Sequence, residues 1–364
     1  MDNRTKQQRI FPVKLMEWFA QNDRPMPWKG EKNPYLVWLS EIILQQTRVE
    51  QGLAYYERFK SKYPSIHDLA AAPEDEVMKT WEGLGYYSRA RNLHATAKYI
   101  SEELNGVFPN TYDTIITLKG VGPYTAAAIA SFAFHLPHAV VDGNVYRVLS
   151  RYFGISTPID STKGKKQFAT LANTLLDRSR PDEYNQAIID FGATHCRPKK
   201  PLCADCLLQS TCTAFHEQTV ALLPIKEKKI KKKTRYFNYL LFNAGEDIFI
   251  RKRVEKDIWK HLYDFPLIEK DKAINREELL VDEAWKLFPK QGSKMRLSKV
   301  SKPFQQTLTH QKIIAVFWEF HISAAYKLDE NQFLKVARKS LKDYAFPKII
   351  DCYLQDNLLY LELL

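Results

Sequence analysis

The chain has 364 residues, 45% of them hydrophobic and 26% charged, with 54 Lys and Arg against 42 Asp and Glu for a formal net charge of +12. Length and apolar content suffice for two cored domains, and with only five cysteines in so long a chain a disulfide-stapled miniprotein is excluded. Residues 1–20 lack the apolar segment of a signal peptide and no later run reaches membrane-spanning length, so a soluble intracellular protein is expected, with nucleic acid ahead of an anionic membrane as its polyanionic partner.

From about Phe11 to His216 apolar residues recur at helical spacing, as in Leu36-Val37-Trp38-Leu39 followed by Ile42, Ile43 and Leu44, which predicts a nearly all-helical half. Pro64, Pro73, Pro109, Pro123 and Pro137 read as helix starts and loops. Glu41 has apolar neighbours on most sides of its helix. Desolvation there would raise its pKa and keep it protonated near neutral pH, making it a candidate general acid; a Glu on the polar stripe of an amphipathic helix is the competing reading.

Further along, Leu118-Lys119-Gly120-Val121-Gly122-Pro123-Tyr124-Thr125-Ala126 sets two glycines before an Ala-rich helix. This is the form of a helix-hairpin-helix turn, in which glycines let the backbone approach a phosphate and N–H groups at the helix start point at it. A plain Gly-Pro helix connection is the alternative. Asp142 and Asn144, in Val140-Val141-Asp142-Gly143-Asn144-Val145, directly precede another apolar helix. Either suits an N-cap, and the helix dipole would also hold an Asp there ionised, ready to stabilise a developing cation. A protonated Glu and an ionised Asp together resemble the pair that cleaves glycosidic bonds through an oxocarbenium-like transition state.

Cys196, Cys203, Cys206 and Cys212 follow the order C-x6-C-x2-C-x5-C. Such a cluster in a long chain points to a four-thiolate site, and the spacing suits zinc and an iron–sulfur cluster equally. Cys352, alone in an apolar stretch, reads as a small core residue. The run from Lys226 to Lys233 is too charged to fold alone and reads as a basic linker. From Arg235 onward, Tyr236 to Phe242, Ile248 to Arg251 and Ile313 to Ile322 read as strands, with helices near Glu277 to Phe288 and Asn331 to Tyr344.

Taken in this order and at this separation, the glycine hairpin, Val-Asp-Gly-Asn and the four cysteines resemble the endonuclease III superfamily of base-excision DNA glycosylases. The resemblance implies a mainly α catalytic half at 1–216. Its six-helix barrel with the helix-hairpin-helix would span 29–136, and an iron–sulfur subdomain would be built from 1–28 and 137–216, with one [4Fe-4S] cluster on the four cysteines. Bifunctional members carry a lysine where this chain has Tyr124; with no amine there to form a Schiff base, strand cleavage is expected to be weak or absent.

Arg24-Pro25-Met26-Pro27-Trp28, Trp38-Leu39-Ser40-Glu41 with Leu44-Gln45-Gln46-Thr47, and Gly83-Leu84-Gly85-Tyr86-Tyr87 are similar to the MutY-type adenine DNA glycosylases, which remove adenine mispaired with 8-oxoguanine or guanine. By that resemblance Glu41 is the general acid that protonates adenine, and Asp142 stabilises or traps the sugar cation with support from Tyr124 and Asn144. Arg24, Trp28 and Gln186 would line the adenine pocket, Gln46, Leu84 and Tyr86 would wedge into the duplex, and Gly120 and Gly122 would grip its backbone. Lys119 replaces the usual Pro before the hairpin and adds a candidate phosphate contact.

After a linker at 217–234, residues 235–364 resemble the family's α+β Nudix-like module through Arg251-Lys252-Arg253, Ile258-Trp259 and Tyr263-Asp264-Phe265-Pro266. Glu277-Glu278 lacks the flanking glutamates that would hold Mg²⁺, so hydrolysis of nucleotides is not expected. Leu308-Thr309-His310 stands where relatives often carry Phe-Ser-His for 8-oxoguanine, which nominates Thr309 and His310. The expectation is a monomer acting on duplex DNA with an adenine mispair, without membrane contact, in the bacterial cytoplasm at the nucleoid. Competing readings are a thymine or oxidised-pyrimidine glycosylase of the superfamily, a non-catalytic iron–sulfur DNA-binding protein, and a metal-dependent nucleotide hydrolase.

Overall fold

A computed structural model of the chain describes residues 3–22, 24–227, 232–288 and 295–358. The chain divides into two compact units, Met1–Ala71 with Asn92–Lys229 and Ala72–Arg91 with Ile230–Leu364. In chain order the first helices are α1 (Asn3–Gln21), α2 (Pro34–Leu44), α3 (Val49–Lys62), α4 (Ile66–Ala71), α5 (Glu74–Thr80) and α6 (Ser88–Glu103). They are followed by α7 (Tyr112–Ile115), α8 (Pro123–Phe134), α9 (Gly143–Tyr152), α10 (Thr162–Leu175), α11 (Pro181–Asp190) and α12 (Thr213–His216). None of the helices among the described residues is long and apolar enough to cross a membrane.

The first unit is helical, as its 3.6-residue periodicity predicts. Asn33 caps α2 by accepting from the Tyr35 N–H, Pro34 occupies the first turn, and Tyr35 to Ile43 are all buried. A helix that is apolar on every side must lie inside. α2 packs against α3 and α8, and α8 buries Thr125 to Ser131 without a break. A second core joins Phe11, Leu15 and Trp18 of α1 to Val148 and Tyr152 of α9, Phe168 of α10 and Ile188 of α11. Each such side chain contributes about 1.5–3 kcal/mol on leaving water.

The second unit is a mixed sheet with helices. Its strands are β1 (Lys233–Ala244), β2 (Asp247–Lys252), β3 (Tyr263–Asp264), β4 (Leu267–Lys270), β5 (Arg296–Val300), β6 (Phe304–Thr307), β7 (Gln311–His321) and β8 (Leu334–Ala337). β1 and β7 pair in parallel from Lys233↔Gln311 to Asn243↔His321, β2 continues antiparallel beyond β1, and β5 and β6 flank β7. The helix expected near 277–288 is shorter and broken, into α13 (Arg276–Leu280) and a 3-10 turn at Glu283–Leu287. The helix expected near 331–344 is not formed. There β8 pairs antiparallel with β2 and a 3-10 turn spans Arg338–Asp343, because an open strand edge recruits the segment's backbone over its helical preference. A helix not anticipated, α14 (Lys348–Leu358), buries Ile349, Ile350 and Tyr353.

Residues 72–91, read from sequence inside the helical half, make their contacts in the second unit. The Tyr263 hydroxyl donates to Asp75 at 2.9 Å, Lys79 Nζ to the Tyr344 carbonyl at 3.0 Å, and the Phe346 N–H to Glu82 at 2.9 Å. Part of the expected linker is likewise bound into the first unit: the Arg151 Nε donates to the Val220 and Leu223 carbonyls, and the Ile159 N–H to Ile225. Lys228, Lys229, Ile230 and Lys231 of the lysine run lie outside the described residues, and β1 begins at Lys233.

Candidate active site and thiolate cavity

A cavity of about 770 Å³ opens in the first unit and gathers Glu41 from α2, Tyr124 from the start of α8, Asp142 and Asn144 from the start of α9, and Gln186 from α11. Arg24, Trp28 and Gln46 line it as well. Glu41 is 8% exposed. Its carboxyl is pushed up to about 7, first by burial, with a hydrogen bond donated by the Tyr124 hydroxyl offsetting part of the rise and the nearby Asp142 charge adding to it. The phenol of Tyr124 is itself pushed well above its ordinary value, first by burial and then by the two carboxylates.

Asp142 is the N-cap of α9. Its Oδ1 accepts from the Val145 N–H at 2.8 Å and its Oδ2 from Asn144 Nδ2 at 2.7 Å. These bonds and the neighbouring Arg147 favour the carboxylate, yet burial outweighs them and the net direction is upward. Desolvation therefore exceeds the helix-terminus effect expected from the sequence. Asn144 Oδ1 in turn accepts from Arg147 Nη2 at 2.9 Å, and Arg147 donates to the Gly192 carbonyl at 2.6 Å and to the Cys196 carbonyl at 2.8 Å. Gly192 is required here, since a Cβ would stand 2.7 Å from the Asn144 Cβ. Arg147 was not singled out in the sequence; its signal is an arginine on the apolar side of α9, where a cation needs partners.

Arg24 Nη1 donates to Asp190 Oδ1 at 3.3 Å, and Trp28 meets the Tyr56 ring edge-on at 5.5 Å. Asp190 and Lys29 also line the cavity and were missed. Asp190 carries the same sequence signal as Glu41, a carboxylate within the apolar run Ile188-Ile189-Asp190-Phe191. Gln46 adopts φ +54° at the cavity, while Gln45 donates to the Thr125 hydroxyl at 3.0 Å.

In the hairpin, Gly120 has φ +82° and a Cβ there would meet Asn92 at 2.7 Å. Gly122 is the N-cap of α8, with open space where a Cβ would stand.

Leu84, Tyr86, Thr309 and His310 belong to the second unit. Leu84 is buried, whereas Tyr86 is 46% exposed with φ +48°. Thr309 lies in the turn between β6 and β7, closed by the Leu308 N–H on the Gln311 carbonyl, and its hydroxyl is 2.8 Å from that of Tyr86. The His310 side chain is exposed and its carbonyl accepts from the Lys233 N–H.

Cys196, Cys203, Cys206 and Cys212 line one cavity of about 30 Å³ between α9 and the loop that follows the π-turn at Phe191–His195. Arg151 Nη1 points at Cys196 Sγ from 3.4 Å. Burial and mutual repulsion push the Cys206 thiol up to about 12 and Cys212 up to about 11, so four ionised sulfurs here require a cationic group among them. Four thiolates around one shared space fit a thiolate-ligated cluster. Cys352 is half-buried in α14.

The HhH-GPD superfamily of base excision DNA repair proteins matches residues 39–174, and the NUDIX domain matches residues 238–356. The adenine DNA glycosylase of Buchnera aphidicola subsp. Baizongia pistaciae (strain Bp) is 36% identical over 304 residues, 83% of this chain and 83% of that protein. That of Mus musculus is 44% identical over 214 residues, 56% of this chain and 42% of that protein. Among solved structures, a thermostable thymine-DNA glycosylase matches with TM-score 0.56 at 30% identity, over 59% of this chain and 100% of that one. An endonuclease III trapped covalently on DNA matches with TM-score 0.52 at 22% identity, over 60% of this chain and 99% of that one, which shows the shared fold. With a helix-hairpin-helix unit, a Nudix-type unit and relatives alike over most of both chains, the protein belongs to the adenine DNA glycosylase family of base excision repair enzymes.

Proposed function

We propose that the protein is a monofunctional glycosylase that excises adenine paired with 8-oxoguanine or guanine in duplex DNA. The observation that carries this reading is the convergence of Glu41, Tyr124 and Asp142 on one cavity, with Glu41 held near neutrality. An extruded adenine is the substrate for such a cavity, since no group can reach the base inside the stack. Near pH 7 a large fraction of Glu41 carries its proton and can pass it to an adenine ring nitrogen as the bond to C1′ breaks. The electron pair of that bond leaves with adenine, and the positive charge that grows on the sugar faces the Asp142 carboxyl group, which the Val145 N–H and Asn144 orient. Water completes the hydrolysis at C1′. Tyr124 offers a phenol and no amine, so the product is an intact strand with an abasic site.

In this reading Cys196, Cys203, Cys206 and Cys212 hold one [4Fe-4S] cluster. When bound, it supplies iron–thiolate bonds that tie the 196–212 loop to the core beside α9. Tyr86 and Thr309, hydroxyl to hydroxyl, would face the base opposite adenine, with His310 next to Thr309 in the same turn. Gly120, Gly122 and the net charge of +12 support a grip on the phosphates of duplex DNA.

The test is a single-turnover assay on duplexes carrying adenine opposite 8-oxoguanine, adenine opposite guanine, and thymine opposite guanine, each read with and without alkali. Breaks that need alkali, on the adenine duplexes alone, are expected. Breaks without alkali would end the monofunctional reading. Release of thymine in preference would favour the alternative raised by the thymine-DNA glycosylase likeness.

A further inference from the structure

Asp190 ends α11 with its side chain 1% exposed, and it lines the same cavity as Glu41 and Asp142. Its Oδ1 accepts from Arg24 Nη1 at 3.3 Å; Lys29 Nζ lies 3.7 Å from Oδ2, which has no hydrogen-bond partner of its own. Both cations belong to the connection between α1 and α2, whose described residues form no helix or strand and only a turn at 27–30. Lys29 Nζ also donates to the Arg24 carbonyl at 3.3 Å and sits 4.7 Å from the Phe19 ring centroid. A carboxylate buried this deeply needs cations, and two cations this close need an anion, so each side of the cluster depends on the other.

We infer that Asp190 is a positioning residue: by holding Arg24 and Lys29 together it fixes the segment that presents Trp28 to the cavity. The inference rests on the excision reading above. Replacing Asp190 by Asn keeps size and one acceptor but removes the charge that Arg24 and Lys29 share, which loosens the segment that carries Trp28. Affinity for duplex comes mainly from phosphate contacts, so the loss falls on base release rather than on binding.

The test compares the parent, Asp190→Asn, Lys29→Met and the double variant as full-length, cluster-loaded proteins. Two quantities are read: the single-turnover rate of adenine release opposite 8-oxoguanine, and affinity for the same duplex carrying a non-cleavable 2′-fluorinated adenosine. Asp190→Asn is expected to slow release by about tenfold to a hundredfold with affinity unchanged. Lys29→Met alone, which leaves Arg24 on Asp190, is expected to lose less than Asp190→Asn, and the double variant no more than Asp190→Asn, because both changes act through the one cluster. Parental release by Asp190→Asn overturns the inference, as does a loss of duplex affinity in step with the rate, which would leave Asp190 a purely structural residue, or losses that simply multiply in the double variant. Failure of the parent itself to release adenine would sink the excision reading and this inference with it, whereas an active parent with an equally active Asp190→Asn sinks this inference alone.

Discussion

Replacing Glu41 by Gln tests the physical state of the site apart from any assumption about substrate. Burial moves the carboxyl from 4.5 to about 7 in the folded protein. The folded state therefore binds this proton more tightly than the unfolded chain, and the stability it confers is full below pH 4.5 and lost as pH rises through 7. Above that, the ionised carboxylate costs the fold about 3 kcal/mol. Gln has nearly the same shape, can still accept from Tyr124, and never ionises. The difference in unfolding free energy between variant and parent, measured by urea denaturation from pH 4.5 to 8.5, should thus be near zero at the acid end. It should reach up to about 3 kcal/mol in favour of Gln at the alkaline end. Titrating groups that do not interact with Glu41 cancel in the difference. Base release should vanish in the variant at every pH, and in the parent it should fall as pH rises through about 7. A stability difference that does not change with pH would refute the buried-acid argument, and full base release by the variant would refute the role given to Glu41.

Asp142→Asn should lower single-turnover adenine release at least about a hundredfold while duplex affinity measured by anisotropy survives, because only the developing sugar cation loses its partner. Loss of affinity in proportion would contradict that assignment. Thr309→Val removes the hydroxyl bonded to Tyr86, a bond worth about 1 kcal/mol, and should cut the rate preference for 8-oxoguanine over guanine by up to about fivefold. An unchanged preference would remove this pair from recognition of the opposing base. The purified protein should absorb in the visible and contain iron, and Cys203→Ser should lose both; zinc in place of iron would overturn the cluster assignment.

Local physics made much of this protein legible in its residues alone. Glu41 stands out because a carboxylate inside an apolar helix carries a desolvation cost whatever surrounds the helix, and the same signal marks Asp190. Gly120 and Gly122, the Asp142 cap and the cysteine spacing are likewise short-range constraints. Other features depend on partners that no local pattern encodes. Residues 334–337 became β8 because the edge of β2 was open, and 72–91 joined the second unit through Asp75, Lys79 and Glu82. Whether burial or the helix terminus governs Asp142 was decided by its enclosure, which exceeds what its hydrogen bonds restore.

The sequence by itself thus determined the helical character of the first unit and marked the buried carboxylates Glu41 and Asp190, since periodicity and buried charge act over a few residues. Only the tertiary structure decided that Tyr86 would meet Thr309, that Arg147 would join Asn144 to the carbonyl of Cys196, and that Arg24 and Lys29 would share Asp190. Such pairings unite residues far apart in the chain and are selected by packing, because a buried polar group must find its partner wherever the fold brings one.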